Sequence, residues 1–131
     1  MPKVSIKIIS HSGLSPLKSL QKESVDFHYT PNTTYLGAFI ADKLVGVCGF
    51  AIIGNVLRYK TDGVLSEYRG NGIYSLLFRE RERICKNVYK KKTTAFCTTK
   101  SLGKYLASGF VAQRCRNGIT FVSRDEQNNG L

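Results

Sequence analysis

The chain has 131 residues, of which 42% are hydrophobic, so it carries enough apolar side chains for one folded core and does not resemble a disordered segment. No apolar run approaches the roughly 18 residues of a membrane-spanning helix, and the N-terminus lacks the apolar stretch of a signal peptide, so we expect a cytoplasmic protein with no membrane partner. Twenty Lys and Arg residues against nine Asp and Glu give a net charge of +11, which favours polyanionic partners, nucleic acid among them.

The first half of the chain reads mainly as strands separated by turns. Alternating apolar and polar residues predict a strand over 4–9, and three leucines spaced three apart, Leu14, Leu17 and Leu20, predict a short helix over 14–23. Two apolar runs joined by a two-residue turn predict a hairpin, and another turn leads to a third strand. The predicted hairpin strands are 34–41 and 44–53, and the third strand is 56–65.

The second half adds helices to this sheet. An amphipathic pattern predicts a long helix over about 71–89, closed by three lysines that suit a helix C-terminus. A strand, a short helix and a final hairpin follow, over 93–98, 101–107, 110–115 and 118–123. This order predicts an α/β fold, a single domain with a mixed, mostly antiparallel sheet flanked by helices. We place the domain at 1–124, followed by a polar tail over 125–131 that we expect to be frayed.

The four cysteines give no sign of a metal site or a disulfide framework. None of them forms a C-x-x-C pair, and each lies in an apolar or structured stretch. We therefore expect buried free thiols in a reducing compartment. With only two histidines in the chain, we predict no metal site.

Two glycines lie between the third strand and the long helix, in the stretch Arg69-Gly70-Asn71-Gly72-Ile73-Tyr74. Glycine permits a tight turn that points successive backbone N–H groups, and the positive end of the helix, at one spot. Such a spot binds phosphate or pyrophosphate. Arg69 binds the same phosphate or pairs with Glu67, and the sequence leaves both alternatives open.

A second signal lies downstream, where Tyr105 precedes the pair Gly109-Phe110 by four residues. With both motifs in this order and a hairpin on each side, most of the chain, from about 35 to 122, resembles the GNAT acyltransferase superfamily. That family opens its central helix with Gln/Arg-x-x-Gly-x-Gly/Ala and later carries a tyrosine four residues before Gly-Phe. The resemblance implies acetyl-CoA or another acyl-CoA as donor substrate, and no metal, because the acyl group is already activated.

The resemblance also implies roles for particular residues. The strand Gly63-Val64-Leu65 would pair with the pantetheine arm of the donor and hold the thioester carbonyl through a backbone N–H. An N–H near Val64 and Leu65 would stabilise the charge that develops on the carbonyl oxygen. Tyr105 would protonate the leaving thiolate. The CoA pyrophosphate would be held by N–H groups of the turn and the first helical residues, which are Gly70, Asn71, Gly72, Ile73 and Tyr74, with Arg69 beside them.

Three residues depart from the family pattern. Tyr74 stands where the family has Gly or Ala, so it packs against its neighbours, closes part of the donor pocket or contacts the acceptor. Thr98 stands where many members carry an Asn that helps to hold the cofactor, and we include it in the donor site. Arg81 stands on the inward face of the long helix, where a buried guanidinium needs a partner. It snorkels to an edge, pairs with an acidic residue or binds an anion.

Acyl transfer to an amine also needs a base. Asp62, on the strand before the glycine turn, is the first candidate, Glu67 is the second, and a water chain is a third route. On the other face of the long helix, basic residues form either a solvated surface or a nucleic-acid contact. These residues are Arg79, Arg83, Lys86 and Lys90.

The leading hypothesis is an acyl-CoA-dependent N-acyltransferase in which an amine of a small molecule, protein or nucleobase attacks the thioester directly in a ternary complex. Two alternatives remain. The small size and positive charge show a weaker resemblance to Mom-type phage proteins, which modify DNA bases. A GNAT fold without catalysis that binds nucleic acid is the other alternative. We expect a monomer or a homodimer formed through the final hairpin.

Overall fold

The computed structural model describes residues 3–22, 30, 32–88 and 90–125. Its strands are β1 (Val4–Ile9), β2 (Thr34–Ile40), β3 (Lys43–Ile53), β4 (Val56–Val64), β5 (Lys92–Cys97), β6 (Val111–Arg116) and β7 (Ile119–Asp125). Its helices are α1 (Ile73–Cys85) and α2 (Thr99–Ala107), with 3₁₀ helices at His11–Lys22 and Ser66–Tyr68. The element order matches the predicted one, with the second 3₁₀ helix as an addition.

The strands form one seven-stranded sheet in the order β1-β2-β3-β4-β5-β7-β6. Every neighbouring pair is antiparallel except β4 and β5, so the predicted mixed, mostly antiparallel sheet is confirmed. The parallel pairing begins at Val56 opposite Lys92 and ends at Tyr59 opposite Ala95, although β4 continues to Val64. Beyond Tyr59 the two central strands therefore separate, and the sheet opens.

A β-bulge in β4 lies at the point where the strands separate. Gly49 of β3 pairs with Lys60, and Val47 pairs with Gly63, so three steps along β4 face two steps along β3. Thr61 takes up the extra residue with a φ of 62°, an unusual value for a β-branched residue. Such conformations cost about 1–3 kcal/mol and are retained mainly where the surrounding structure enforces them.

The bulge changes which side chains face α1. Before it, Leu57 and Tyr59 are buried in the core cluster that contains Phe78 of α1. Because side chains alternate along a strand, an extra residue exchanges the two faces. After the bulge it is Asp62 and Val64 that point toward α1. A carboxylate is thereby brought to the inner face of the sheet.

The first helix is a 3₁₀ helix rather than an α-helix. Its three leucines, Leu14, Leu17 and Leu20, are at most 1% exposed and pack with Tyr35 and Val47. A spacing of three aligns side chains on one face of a 3₁₀ helix, which has three residues per turn. The predicted leucine face is confirmed, and the predicted end at residue 23 lies outside the described residues.

Helix α1 is shorter than predicted, and one of its predicted surface residues is buried. It ends at Cys85, and Lys90 folds back so that its Nζ lies 3.0 Å from the Cys85 carbonyl oxygen. Lys90 is 7% exposed, so the prediction that it lies on the solvated face was wrong. Its ammonium instead satisfies a carbonyl at the helix C-terminus, the role predicted for the lysine run. Residue 89 lies outside the described residues.

The later elements also shift by a few residues from their predicted bounds. Helix α2 begins at Thr99, and β7 continues to Asp125, so the predicted tail overlaps the strand by one residue. The remainder of that tail, 126–131, lies outside the described residues. Three of the cysteines are buried free thiols, as predicted, but Cys115 is exposed on the edge strand β6. Every residue of β6 is exposed, which is why its cysteine could not be buried.

A half-buried ion pair ties α1 to the last strand. Both terminal nitrogens of Arg124 donate to the Glu82 carboxylate at 2.8 Å, and the Tyr59 hydroxyl donates to Oε1 at 2.5 Å. Burial alone would raise the pKa of Glu82, but the hydrogen bonds from Arg124 and Tyr59 outweigh it and lower that pKa below 4.5. A lowered pKa in the folded state stabilises the fold above the unfolded-state pKa, and this stabilisation is lost as pH falls through the folded-state pKa.

For Glu82→Gln we therefore expect a shallower loss of stability in acid. The free energy of unfolding, measured in urea at pH 7 and at about pH 3, should differ less for the variant than for the wild type. An equal difference in both proteins would contradict this role of Glu82.

Among the helices of the described ranges, none has the length and apolar character needed to cross a bilayer.

Candidate functional site

A cleft of about 300 Å³ lies where β4 and β5 separate. Its walls come from the end of β4, the glycine turn, the first turn of α1 and the first turn of α2. The lining residues are Asp62, Gly63, Val64, Tyr68, Arg69, Gly70, Gly72, Ile73, Tyr74, Ser75, Thr98, Lys100 and Ser101.

The glycine turn forms a cradle of backbone N–H groups. Gly70 and Gly72 have φ values of 80° and 76°, which glycine adopts without strain. A Cβ added at either glycine would meet nothing within 4 Å, so the space above the turn is open to a ligand. The first intrahelical bond of α1 runs from the Leu76 N–H to the Gly72 carbonyl, so the N–H groups of Ile73 to Ser75 point out of the helix end.

The electrostatics of the cleft favour an anion. The N-termini of α1 and α2 both lie in its wall, and each carries the partial positive charge of a helix dipole. Arg69 and Lys100 add two cationic side chains, and the first turns of the two helices contain no acidic residue. The Arg69 Nε donates to the Val64 carbonyl oxygen at 2.9 Å. The cleft therefore fits a phosphate or pyrophosphate group.

The backbone N–H groups of Val64 and Leu65, for which the sequence predicts the same role, point in opposite directions. The Leu65 N–H donates to the Val45 carbonyl at 2.9 Å, within the sheet, and Leu65 packs against the core cluster that includes the leucines of the first 3₁₀ helix. Because N–H groups alternate in direction along a strand, the Val64 N–H points to the other edge, toward the cleft. Val64 lines the cleft, so its N–H, unlike that of Leu65, is directed at the ligand space.

Asp62 is the centre of a hydrogen-bond network at the inner end of the cleft. Arg81 Nη1 lies 2.6 Å from Asp62 Oδ1, and Arg81 Nη2 lies 3.0 Å from Oδ2. The hydroxyls of Tyr74 and Tyr105 donate to the same Oδ2 at 2.5 and 2.6 Å. The Asp62 side chain is 12% exposed, so this carboxylate is held by four donors at the edge of the core.

Arg81 is fully buried, and of the alternatives predicted for it, pairing with an acidic residue is the one that the structure shows. Its Nη1 also donates to the Gly49 carbonyl at 3.0 Å, and its guanidinium carbon lies 4.0 Å from the centroid of the Tyr59 ring. Burial alone would lower the pKa of Arg81, but the Asp62 carboxylate beside it holds the pKa well above the usual value. A bidentate carboxylate contact with a stacked ring is the geometry in which a buried guanidinium stays charged.

The two tyrosines of the network differ in their access to the cleft. Tyr74 is partly buried in the cleft wall, and its ring packs edge-to-face against Phe78 at 5.9 Å. Tyr105 is 1% exposed and packs edge-to-face against Phe78 and Phe110, both at 5.1 Å. Burial raises the pKa of both hydroxyls well above 10; Asp62 raises both further, whereas Arg81 opposes the rise.

The cleft gathers most of the predicted site residues. Those that line it are Asp62, Val64, Arg69, Gly70, Gly72, Ile73, Tyr74 and Thr98. Leu65, Glu67, Asn71 and Tyr105 are not in its lining; Glu67 lies exposed on the second 3₁₀ helix, and the Asn71 amide donates to the Tyr68 carbonyl at 3.2 Å.

Sequence reasoning missed other lining residues. They are Tyr68, Ser75, Lys100 and Ser101; Gly63, which also lines the cleft, belongs to the strand segment that the resemblance implies would pair with the pantetheine arm. For Lys100 and Ser101 the one sequence signal is their position directly after the predicted strand end at 98. In the described ranges no group of three His, Cys, Asp or Glu residues is arranged to hold a metal ion.

The sheet opens between two parallel strands, and a helix N-terminus lies at the opening. Together with the family match that follows, this arrangement makes the protein an enzyme of the acyl-CoA N-acyltransferase class. The chain belongs to the acetyltransferase (GNAT) family, whose profile matches residues 9–110. The predicted family and fold are therefore confirmed. No curated protein sequence matches the chain.

Solved structures of GNAT enzymes have the same fold at low sequence identity. The PaiA N-acetyltransferase of Thermoplasma acidophilum, solved with coenzyme A, is 17% identical with a TM-score of 0.76, over 95% of this chain and 99% of that one. The IAA acetyltransferase of Bacillus cereus is 16% identical with a TM-score of 0.74, over 95% and 100%. NAA60 of Arabidopsis thaliana, solved with a bisubstrate analogue, is 13% identical with a TM-score of 0.73, over 95% and 100%.

Proposed function

We propose that the protein transfers an acyl group, most simply acetyl, from acyl-CoA to an amine by direct attack on the thioester in a ternary complex. The observation that carries the proposal is the N–H cradle of Gly70 to Ser75, which opens into the same cleft as the Asp62 network. One end of this cleft suits a pyrophosphate, and the other end holds proton-transferring groups.

In this proposal the cradle and Arg69 hold the donor pyrophosphate. The open space above Gly70 and Gly72 supports the fit, because no protein atom beyond the adjoining residues lies within 4 Å of a Cβ placed at either glycine and the turn leaves room for a ligand. The Val64 N–H binds the thioester carbonyl oxygen and stabilises the negative charge that develops on it. Thr98 and Lys100, at the start of α2, form the opposite wall. Much of the rate enhancement comes from holding donor and acceptor together.

Calorimetric titration with acetyl-CoA, with CoA as the comparison, tests the donor site. We expect micromolar binding of both, because the pyrophosphate cradle contacts a part that they share. A panel of butylamine, a lysine-containing peptide and a nucleoside amine, assayed for release of the CoA thiol, then identifies the acceptor class. If neither acetyl-CoA nor CoA binds, the proposal is wrong.

The acceptor is an amine of a small molecule, a protein or a nucleobase. Exposed basic residues on α1 and directly after it favour a nucleic acid as a second candidate, either as the acceptor or as a bound partner without catalysis. They are Arg79, Arg83 and Lys86. In that case DNA binding should be detectable at low salt and should weaken steeply as salt is added. Absence of binding at low salt would exclude this candidate.

Equilibrium sedimentation distinguishes the monomer from the homodimer.

A further inference from the structure

Two tyrosine hydroxyls share one carboxylate oxygen, but only one of them faces the cleft. Tyr74 is part of the cleft wall and donates a single hydrogen bond to Asp62 Oδ2. Tyr105 is buried behind the cleft, where its hydroxyl donates to Asp62 and accepts from Arg81 Nη2 at 3.3 Å. The Tyr105 hydroxyl is thus fixed from two sides, whereas Tyr74 lines the ligand space beside Asp62.

We propose that Tyr74, rather than Tyr105, delivers the proton to the leaving sulfur, and that Asp62 and Tyr74 form a proton relay from the acceptor nitrogen to that sulfur. This inference rests on the acyl-transfer function proposed above. Tyr105 and Arg81 are then positioning residues that hold Asp62 in place. In this chain the proton donor would then be Tyr74, at the motif position where the family has Gly or Ala.

The relay conserves atoms and charge. The lone pair of the acceptor nitrogen forms the new C–N bond, while the C–S bond breaks and leaves its electron pair on sulfur. Asp62 Oδ2 takes the proton that the nitrogen loses. Protonated Asp62 then donates to the Tyr74 oxygen, which reverses their hydrogen bond and frees the Tyr74 O–H to turn toward the sulfur. Tyr74 gives up this proton as it receives the one from Asp62, so both residues return to their starting states.

A relay also avoids an unfavourable pair of anions. If Tyr74 acted as an independent acid, its phenolate would lie 2.5 Å from the ionised Asp62 oxygen. Two negative charges at that distance in a partly buried site repel strongly. In the relay Asp62 is neutral when Tyr74 releases its proton. The 2.5 Å separation of the two oxygens is short enough for direct proton transfer between them.

Asp62 lines two cavities. Besides the main cleft, it lines a second cavity of about 20 Å³, together with Lys60, Phe96 and Cys97. A cavity of this size holds about one water molecule. A proton can therefore reach Asp62 either from an amine in the main cleft or through a water in the second cavity. In both cases Tyr74 is the residue that passes a proton on to the sulfur.

A matched pair of variants tests the relay. Tyr74→Phe and Tyr105→Phe each remove one hydroxyl from the same Asp62 oxygen and leave the ring that packs on Phe78. For Tyr74→Phe we expect kcat for thiol release from acetyl-CoA to fall about 100- to 1000-fold, with the acetyl-CoA affinity by calorimetry within about threefold of wild type. For Tyr105→Phe we expect kcat to fall less than about tenfold, and we expect the melting temperature to fall more than it does in Tyr74→Phe.

Combining Tyr74→Phe with Asp62→Asn adds a test of the coupling. Residues that act as one unit are not additive, so the double variant should be no slower than the slower single variant. The relay is overturned if Tyr74→Phe keeps wild-type kcat, if Tyr105→Phe is the slower of the pair, or if the losses multiply. In those cases a wild type that binds acetyl-CoA and releases thiol still supports the proposed function. A wild type that does neither contradicts both proposals.

Discussion

Replacing Arg81 by Met should lower the free energy of unfolding by about 3–5 kcal/mol, because it leaves the Asp62 carboxylate without its cationic partner in a nearly buried position. Methionine fills much of the space of the aliphatic stem, so the loss reports mainly the removed charge and hydrogen bonds. The Gly49 carbonyl, which accepts a bond from Arg81, also loses its partner. Urea denaturation at pH 7, followed by circular dichroism, measures the change.

The double variant Arg81→Met/Asp62→Asn is the control for this prediction. It removes both charges, so we expect it to be more stable than the sum of the single variants predicts, with a coupling of about 1–3 kcal/mol. Arg81→Lys keeps the charge but cannot make the bidentate contact, and it should fall between the wild type and Arg81→Met. If Arg81→Met does not fold, a cycle of Arg81→Lys, Asp62→Asn and their double variant measures the coupling that depends on the bidentate contact. Strict additivity would show that the ion pair does not stabilise the fold.

The features that local sequence encodes were the ones that could be predicted. Strand alternation depends on neighbours two residues apart, and Gly70 and Gly72, in the turn that precedes α1, are required by the positive φ angles of that turn. Strand alternation and the turn glycines can each be read from a few neighbouring residues. The order of elements and the position of the glycine turn could therefore be predicted from the sequence. The inward face of α1 was equally local, and Arg81 was assigned to it correctly because a helical period places it beside Leu77.

The arrangement of the site depends on contacts that no short stretch of sequence contains. Asp62 faces Arg81 only because the bulge at Thr61 exchanges the faces of β4, and the bulge exists through pairing with β3. Simple alternation from Tyr59 would have put Asp62 on the other face of the sheet. The glycine after Asp62, an uncommon residue within a strand, was the one local hint of irregularity. Likewise, the leucine spacing of the first helix fits both helix types, and packing on the sheet selects the 3₁₀ form.

A negative charge placed in the cradle should lower acetyl-CoA affinity without lowering the free energy of unfolding. Ser75 is exposed in the first turn of α1 and lines the cleft. In Ser75→Glu the carboxylate lies at the positive end of the helix, so we expect the free energy of unfolding to stay equal or rise by about 0.3–1 kcal/mol. The same carboxylate competes with the donor pyrophosphate for the N–H groups and repels it, so we expect acetyl-CoA affinity to fall about 100-fold.

Ser75→Gln is the matched control, because it has the size of the glutamate without its charge. If charge causes the loss, the glutamine variant should keep acetyl-CoA affinity within about fivefold of wild type, and added salt should narrow the gap between the two variants by screening. Calorimetry measures affinity, and urea denaturation measures stability in the same buffers. Equal loss of affinity in both variants would point to steric exclusion, and unchanged affinity in Ser75→Glu would show that the pyrophosphate does not bind at this helix end. A fall in affinity with a rise in stability is the result that only an anion site at the N-terminus of α1 explains, since a general disruption of the fold would lower both quantities together.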